Sequence, residues 1–134
     1  MPVRGIRGAT TASANTRDAI LEATRELLTE LIRANDLCEP DVASVYFTMT
    51  ADLDAAFPAR AARDLGWANT ALLDAQAPRI ANDLARCIRV LIHWNTGKNV
   101  GEIQHVYLHD AQTLRPDRPS RVSRSEPGRS QENE

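Results

Sequence analysis

Only two cysteines, Cys38 and Cys87, occur in the 134 residues. That is too few for a disulfide scaffold, and it fits a reducing compartment in which both are plain thiols. Neither sign of charge is in excess: 16 Lys and Arg against 18 Asp and Glu leave a formal net charge of −2. No domain-wide positive field is therefore present to draw nucleic acid or an anionic membrane. Long apolar runs are missing as well. The longest, around Val90 to Ile92, is broken by Arg89 and His93 and falls well short of the roughly 18 residues a membrane span needs. The opening MPVRGIRG has neither the apolar stretch nor the cleavage site of a secretory signal. A soluble, cytoplasmic protein with no nucleic-acid and no membrane partner is expected.

The usual signatures of chemistry are equally scarce. There is no phosphate-binding glycine loop, no G-x-S-x-G and no nucleophile beside an evident base, and RGIRG is not a dinucleotide fingerprint. His105 and His109, read as part of a strand, would stand about 13 Å apart, too far for one ion to bridge. His93 lies on another element and Cys87 stands alone, so no zinc spacing exists. Neither a metal nor a cofactor is expected.

What is present is an ordinary globular composition, 43% hydrophobic and 25% charged, enough for one domain with one modest core. The domain is expected to span residues 1–115. From Pro116 to Glu134 the chain has three prolines, four serines, four arginines, four acids and a single branched aliphatic, Val122. That composition cannot build a core and reads as a flexible, solvated tail.

The clearest element is a helix from about Thr16 to Ala34, with Ile20, Leu21, Leu27, Leu28, Leu31 and Ile32 on one stripe and charges opposite. Asn15 is the expected cap, and Asn35 with Pro40 closes the element. Strand-like runs cover Val3 to Thr11, Val42 to Met49, Thr70 to Asp74, Arg86 to Trp94 and His105 to Leu114. A short helix, Pro58 to Leu65, ends before Gly66. This order predicts an α+β, α/β-like fold: a mixed sheet of about five strands with one long and one short helix on one face.

Side chains alternate across a strand, which divides each run into two faces. On Arg86 to Trp94, the residues Ile88, Val90, Ile92 and Trp94 form the core side. Arg89 shares the other side with Cys87, Leu91 and His93. A guanidinium in that company must either find an acid or wait for an anion. On the first strand Arg7 lies between Gly5 and Ala9, neighbours too small to shield it, and Gly5 and Gly8 permit close backbone approach. Tyr107 is expected in mid-strand between His105 and His109, as a donor to a carboxylate or simply half-buried. Arginines and a tyrosine set on strands suit a small, multiply anionic ligand, because guanidinium–carboxylate contacts give both strength and orientation.

Four segments, RGIRGATT at Arg4 to Thr11, FPARAAR at Phe57 to Arg63, CIRV at Cys87 to Val90 and HVYLHDAQTLRP at His105 to Pro116, resemble the trimeric chorismate mutases of the small mixed-sheet class. The resemblance runs over about residues 1 to 117. It implies a homotrimeric pseudo-α/β barrel with active sites in clefts between subunits. The implied reaction is the Claisen rearrangement of chorismate to prephenate, on the route to phenylalanine and tyrosine, without cofactor, nucleophile or proton transfer. Carried over by position, Arg89 would face the ether oxygen and a carboxylate, while Arg7 and Tyr107 would grip carboxylate. Phe57 and Leu114 would wall the pocket, and Arg63 and Arg115 would close its mouth. Arg60 takes a position that is usually basic, suited to steering the substrate.

One departure matters. Where the family normally has a glutamate that accepts the ring hydroxyl, this chain has Ala77; three residues earlier, where cysteine is common, it has Asp74. Asp74 is expected to supply the missing carboxylate, and to reach Arg89 as well, provided that the chain bends between positions that alternation would send opposite ways. Without that replacement, a trimeric small-acid-binding or regulatory protein with weakened or lost mutase activity is the alternative.

Overall fold

A computed structural model describes residues 1–115; the tail expected at 116–134 lies outside the described residues. Five strands form one mixed sheet: β1 (Val3–Thr11), β2 (Val42–Met49), β3 (Ala71–Gln76), β4 (Cys87–Asn95) and β5 (Val106–Tyr107), in the order β3-β2-β4-β1-β5. The central strand β4 runs antiparallel to β1 and β2, while β3 and β5 join the edges in parallel. Two helices, α1 (Arg17–Asn35) and α2 (Ala59–Asp64), complete the fold. The chain is α+β, with both helices on one side of the sheet.

Alternation explains which side they take. Ile6 of β1, Val45 and Phe47 of β2, and Val90, Ile92 and Trp94 of β4 are buried together with Leu27, Leu28 and Leu31 of α1 and with Ala59 and Ala62 of α2. Gly8 lies on that side. A Cβ there would stand 2.9 Å from Leu31 Cδ1 and 3.1 Å from Val90 Cγ1, so its missing side chain admits α1 and not a ligand. At Gly5 an added Cβ would make an ordinary 3.6 Å contact with Leu91.

Several boundaries differ from expectation. The cap of α1 is Thr16, whose hydroxyl accepts from Ala19 N at 3.1 Å; Asn15 instead binds the 54–55 backbone, accepting from Asp54 N at 3.0 Å and Ala55 N at 3.2 Å. The helix ends in the left-handed Asp36, φ 57°. The run His105 to Leu114 is not one strand. After Tyr107 the ladder ends with Leu108 N on Ala9 O at 2.9 Å. His109 then turns left-handed at φ 53°, and residues His109–Leu114 wind into a 3-10 helix. A left-handed residue cannot continue a strand, so Tyr107 is the last strand residue and not a mid-strand one.

Candidate active site

The outer face of the sheet, away from the helices, gathers the first group of expected residues. Strand register sets Ala9 opposite Arg89 on β4 and opposite Tyr107 on β5, and Arg7 opposite Leu91. Directly paired residues share a face, so Arg89 and Tyr107 flank the small Ala9, with Arg7 two residues along. Tyr107, 9% exposed, is buried with Ala9 and Ala111, and Leu84 and Leu114 pack against them. Arg7 is exposed, and its backbone N–H donates to His105 Nδ1 at 3.0 Å. Arg115 follows Leu114 on the surface.

Two hydrogen-bonded anchors fix this group. Asn35, 1% exposed at the end of α1, donates to Leu31 O at 3.1 Å and Gln104 O at 2.8 Å while accepting from Gln104 N at 2.8 Å. That clamp delivers the chain into β5 and so places Tyr107. At the start of the 3-10 turn, His109 Nε2 meets Glu26 Oε1 of α1 at 2.8 Å.

Arg89 is not bare. Its Nη2 donates to Asp83 Oδ1 at 3.3 Å, with the side chains 24% and 25% exposed. Of the two outcomes open to it, the guanidinium has found an acid, and one that sequence reasoning passed over. The signal was an aspartate six residues upstream in a loop. Cys87, buried on the same row as Arg89, has its thiol pushed up by burial, against the nearby Arg89 charge, which lowers it.

The second group lies on the helix side. A cleft of about 590 Å³ is lined by Arg17 and Leu21 of α1, by Phe57, by Arg60 and Arg63 of α2, and by Asp74 of β3. Phe57 is 68% exposed at its edge. The loop that carries it is tied to Asn15 by the two backbone bonds above and by Asn15 Nδ2 donating to Asp54 Oδ1 at 2.8 Å. Arg60 pairs with Asp64 at 3.0 Å.

Asp74 is half-buried and accepts from Ala59 N at 3.0 Å, so it also holds the first turn of α2. Burial raises its carboxyl above the usual carboxylate range; the Ala59 N–H and the Arg63 charge oppose that rise. The expectation that Asp74 would reach Arg89 does not hold within one chain. Asp74 pairs with Phe47, which pairs with Val90 on the helix side, whereas Arg89 pairs with Thr48 on the outer side. The sheet separates the two. The strand ends at Gln76, one residue before Ala77, although Ala77 N still donates to Met49 O at 2.7 Å.

One chain thus carries the expected residues as two groups on opposite faces of its sheet. Among the described residues no cluster of three or more His, Cys, Asp or Glu could hold a metal ion, and no helix is long and apolar enough to cross a membrane.

Residues 3–118 match the family model "Chorismate mutase type I". Chorismate mutase AroH of Thermus thermophilus is 47% identical over 116 residues, which is 86% of this chain and 95% of that protein. Chorismate mutase AroH of Bacillus subtilis strain 168 is 40% identical over 118 residues, 87% and 93% of the two chains. Among solved structures, a chorismate mutase from Clostridium thermocellum superposes with a TM-score of 0.82 at 50% identity, covering 83% of this chain and 99% of the other.

Proposed function

Because the chain belongs to the type I chorismate mutase family and is a chorismate mutase, an isomerase, we propose that its catalytic pocket is completed between copies of itself in a homotrimer. The outer face of one sheet, bearing Arg7, Arg89, Tyr107, Leu114 and Arg115, closes against the helix-side cleft of the next subunit, bearing Phe57, Arg60, Arg63 and Asp74. The observation that carries this reading is the division itself. Residues expected around one small ligand stand on opposite sides of a sheet in a single chain. Exposed apolar side chains on the outer face, Val3 at 55%, Tyr46 at 44% and Leu73 at 56%, support cover by a neighbouring copy.

The rearrangement of chorismate to prephenate needs no group to give or take a proton. What accelerates it is a substrate held in its compact reactive conformer, together with fixed positive charge where the breaking C–O bond gains negative charge. Arg89 supplies that charge at the ether oxygen and meets a carboxylate. Arg7 and Tyr107 hold carboxylate, Phe57 and Leu114 wall the space, Arg63 and Arg115 cover its mouth, and Arg60 draws the dianion in. Asp74, raised in pKa yet hydrogen-bonded and near Arg63, accepts the ring hydroxyl in place of the absent glutamate. A cytoplasmic location belongs to the same reading, supported by two cysteines that are not joined.

The test mixes two variants, Arg63→Ala and Arg89→Ala, each assayed alone for chorismate consumption and then after co-refolding. In a head-to-tail ring each interface draws its halves from different chains, so random assembly restores about a quarter of native sites. Recovery of that order supports the shared pocket. A mixture no more active than its components overturns it, and a wild type inert on chorismate overturns the activity.

A further inference from the structure

The loop between β3 and β4 carries a carboxylate to Arg89 from within the same chain, and it is built to do so. Left-handed Asn82, φ 66°, and Arg86, φ 50°, turn the backbone around Asp83. Asp83 N donates to Ile80 O at 3.1 Å, and Leu84 N donates to Asp83 Oδ1 at 2.8 Å, which fixes the carboxylate by its own backbone. Arg86 pins the far end through its N–H to Asp52 Oδ2 at 2.9 Å and its Nε to Ala12 O at 3.0 Å. Leu84 seats the loop on the cluster that buries Tyr107. Asp83 therefore stands on the Tyr107 side of the sheet, where Asp74 of the same chain does not.

We propose that Asp83 is the positioning residue for Arg89, holding one edge of the guanidinium so that its remaining N–H groups point in one plane toward the substrate. The inference rests on the mutase reading above and deepens it. A free arginine samples many rotamers, whereas one anchored by a fixed carboxylate presents its donors already oriented.

Asp83 also places a negative charge near a dianionic substrate, and this separates positioning from binding. Asp83→Asn should lower kcat about ten- to a hundredfold, as expected for a misaligned catalytic donor, while KM stays level or falls. In an Arg89→Lys background the same substitution should cost nothing further, since its effect passes through the guanidinium fork. Asp83→Ser, which keeps an acceptor for Leu84 N, serves as the second variant if the asparagine form loses its assembly by sedimentation. Wild-type or raised kcat in the folded variant overturns the proposal, as does an equal loss in both backgrounds. Inertness of the wild type would overturn the mutase reading instead.

Discussion

Gly8 and Leu31 approach so closely that a Cβ on the glycine would stand 2.9 Å from the leucine Cδ1. Leu27 Cδ1 would lie 3.2 Å away and Val90 Cγ1 3.1 Å away, so three core side chains on two elements would have to give at once. Overpacking of this kind costs roughly 1–3 kcal/mol. Gly8→Ala should lower the thermal midpoint by several degrees, read by circular dichroism. Gly5→Ala, with its ordinary 3.6 Å contact, should not.

Arg89 stands beside Ala9 on the outer face, with its guanidinium already held by Asp83. If it stabilises the developing charge on the ether oxygen, Arg89→Ala should reduce kcat by about 10²–10³, the usual loss for one donor aimed at an oxyanion. Arg89→Lys keeps the charge but not the planar fork. It should remain well below wild type in a steady-state chorismate assay; near-normal turnover would count against the role given to the fork.

Asn35 is the buried link between α1 and the entrance to β5. Its amide satisfies Leu31 O, Gln104 O and Gln104 N together. Asn35→Ala removes that partner from buried Leu31 O and part-buried Gln104, at about 1–3 kcal/mol for a buried group left unsatisfied. Hydrogen exchange should rise selectively at Gln104 to Leu108, and activity should fall through Tyr107 even where the protein stays folded. Uniform exchange along the whole chain would show a general loss of stability instead.

Periodicity was enough to read α1, β1, β2 and the core face of β4 to within a residue or two, because each buries one face against a common core. The end of β5 was not legible. His105 to Leu114 alternates like a strand, and only the backbone shows that His109 turns left-handed. Alternation marked Arg7, Arg89 and Tyr107 each on its own strand, but their convergence on one site was implied only by the family resemblance, because which faces coincide depends on the strand register. Phe57, Arg60, Arg63 and Asp74 could be named only through family resemblance, since their cleft depends on how α2 meets α1 and β3. Asp83 escaped because a loop acid carries no period; its meaning comes from the turns at Asn82 and Arg86, which bring it back onto Arg89.

Asp74 gives the pH dependence its sign. Its folded carboxyl is raised above the ordinary value chiefly by burial, so the folded chain holds that proton to a higher pH than the unfolded chain does. Stability from this group is therefore greatest below the unfolded value and declines as pH rises through the folded one. If the ionised form accepts the substrate hydroxyl, activity should run the other way, with kcat falling on acidification from above the usual carboxylate range. Asp74→Asn keeps an acceptor for Ala59 N and removes the titration. Its pH–rate profile should lose that acid limb at a reduced plateau, and its melting temperature at neutral pH should match or exceed wild type. An unchanged acid limb in Asp74→Asn would assign the titration to another group and remove Asp74 from contact with the substrate.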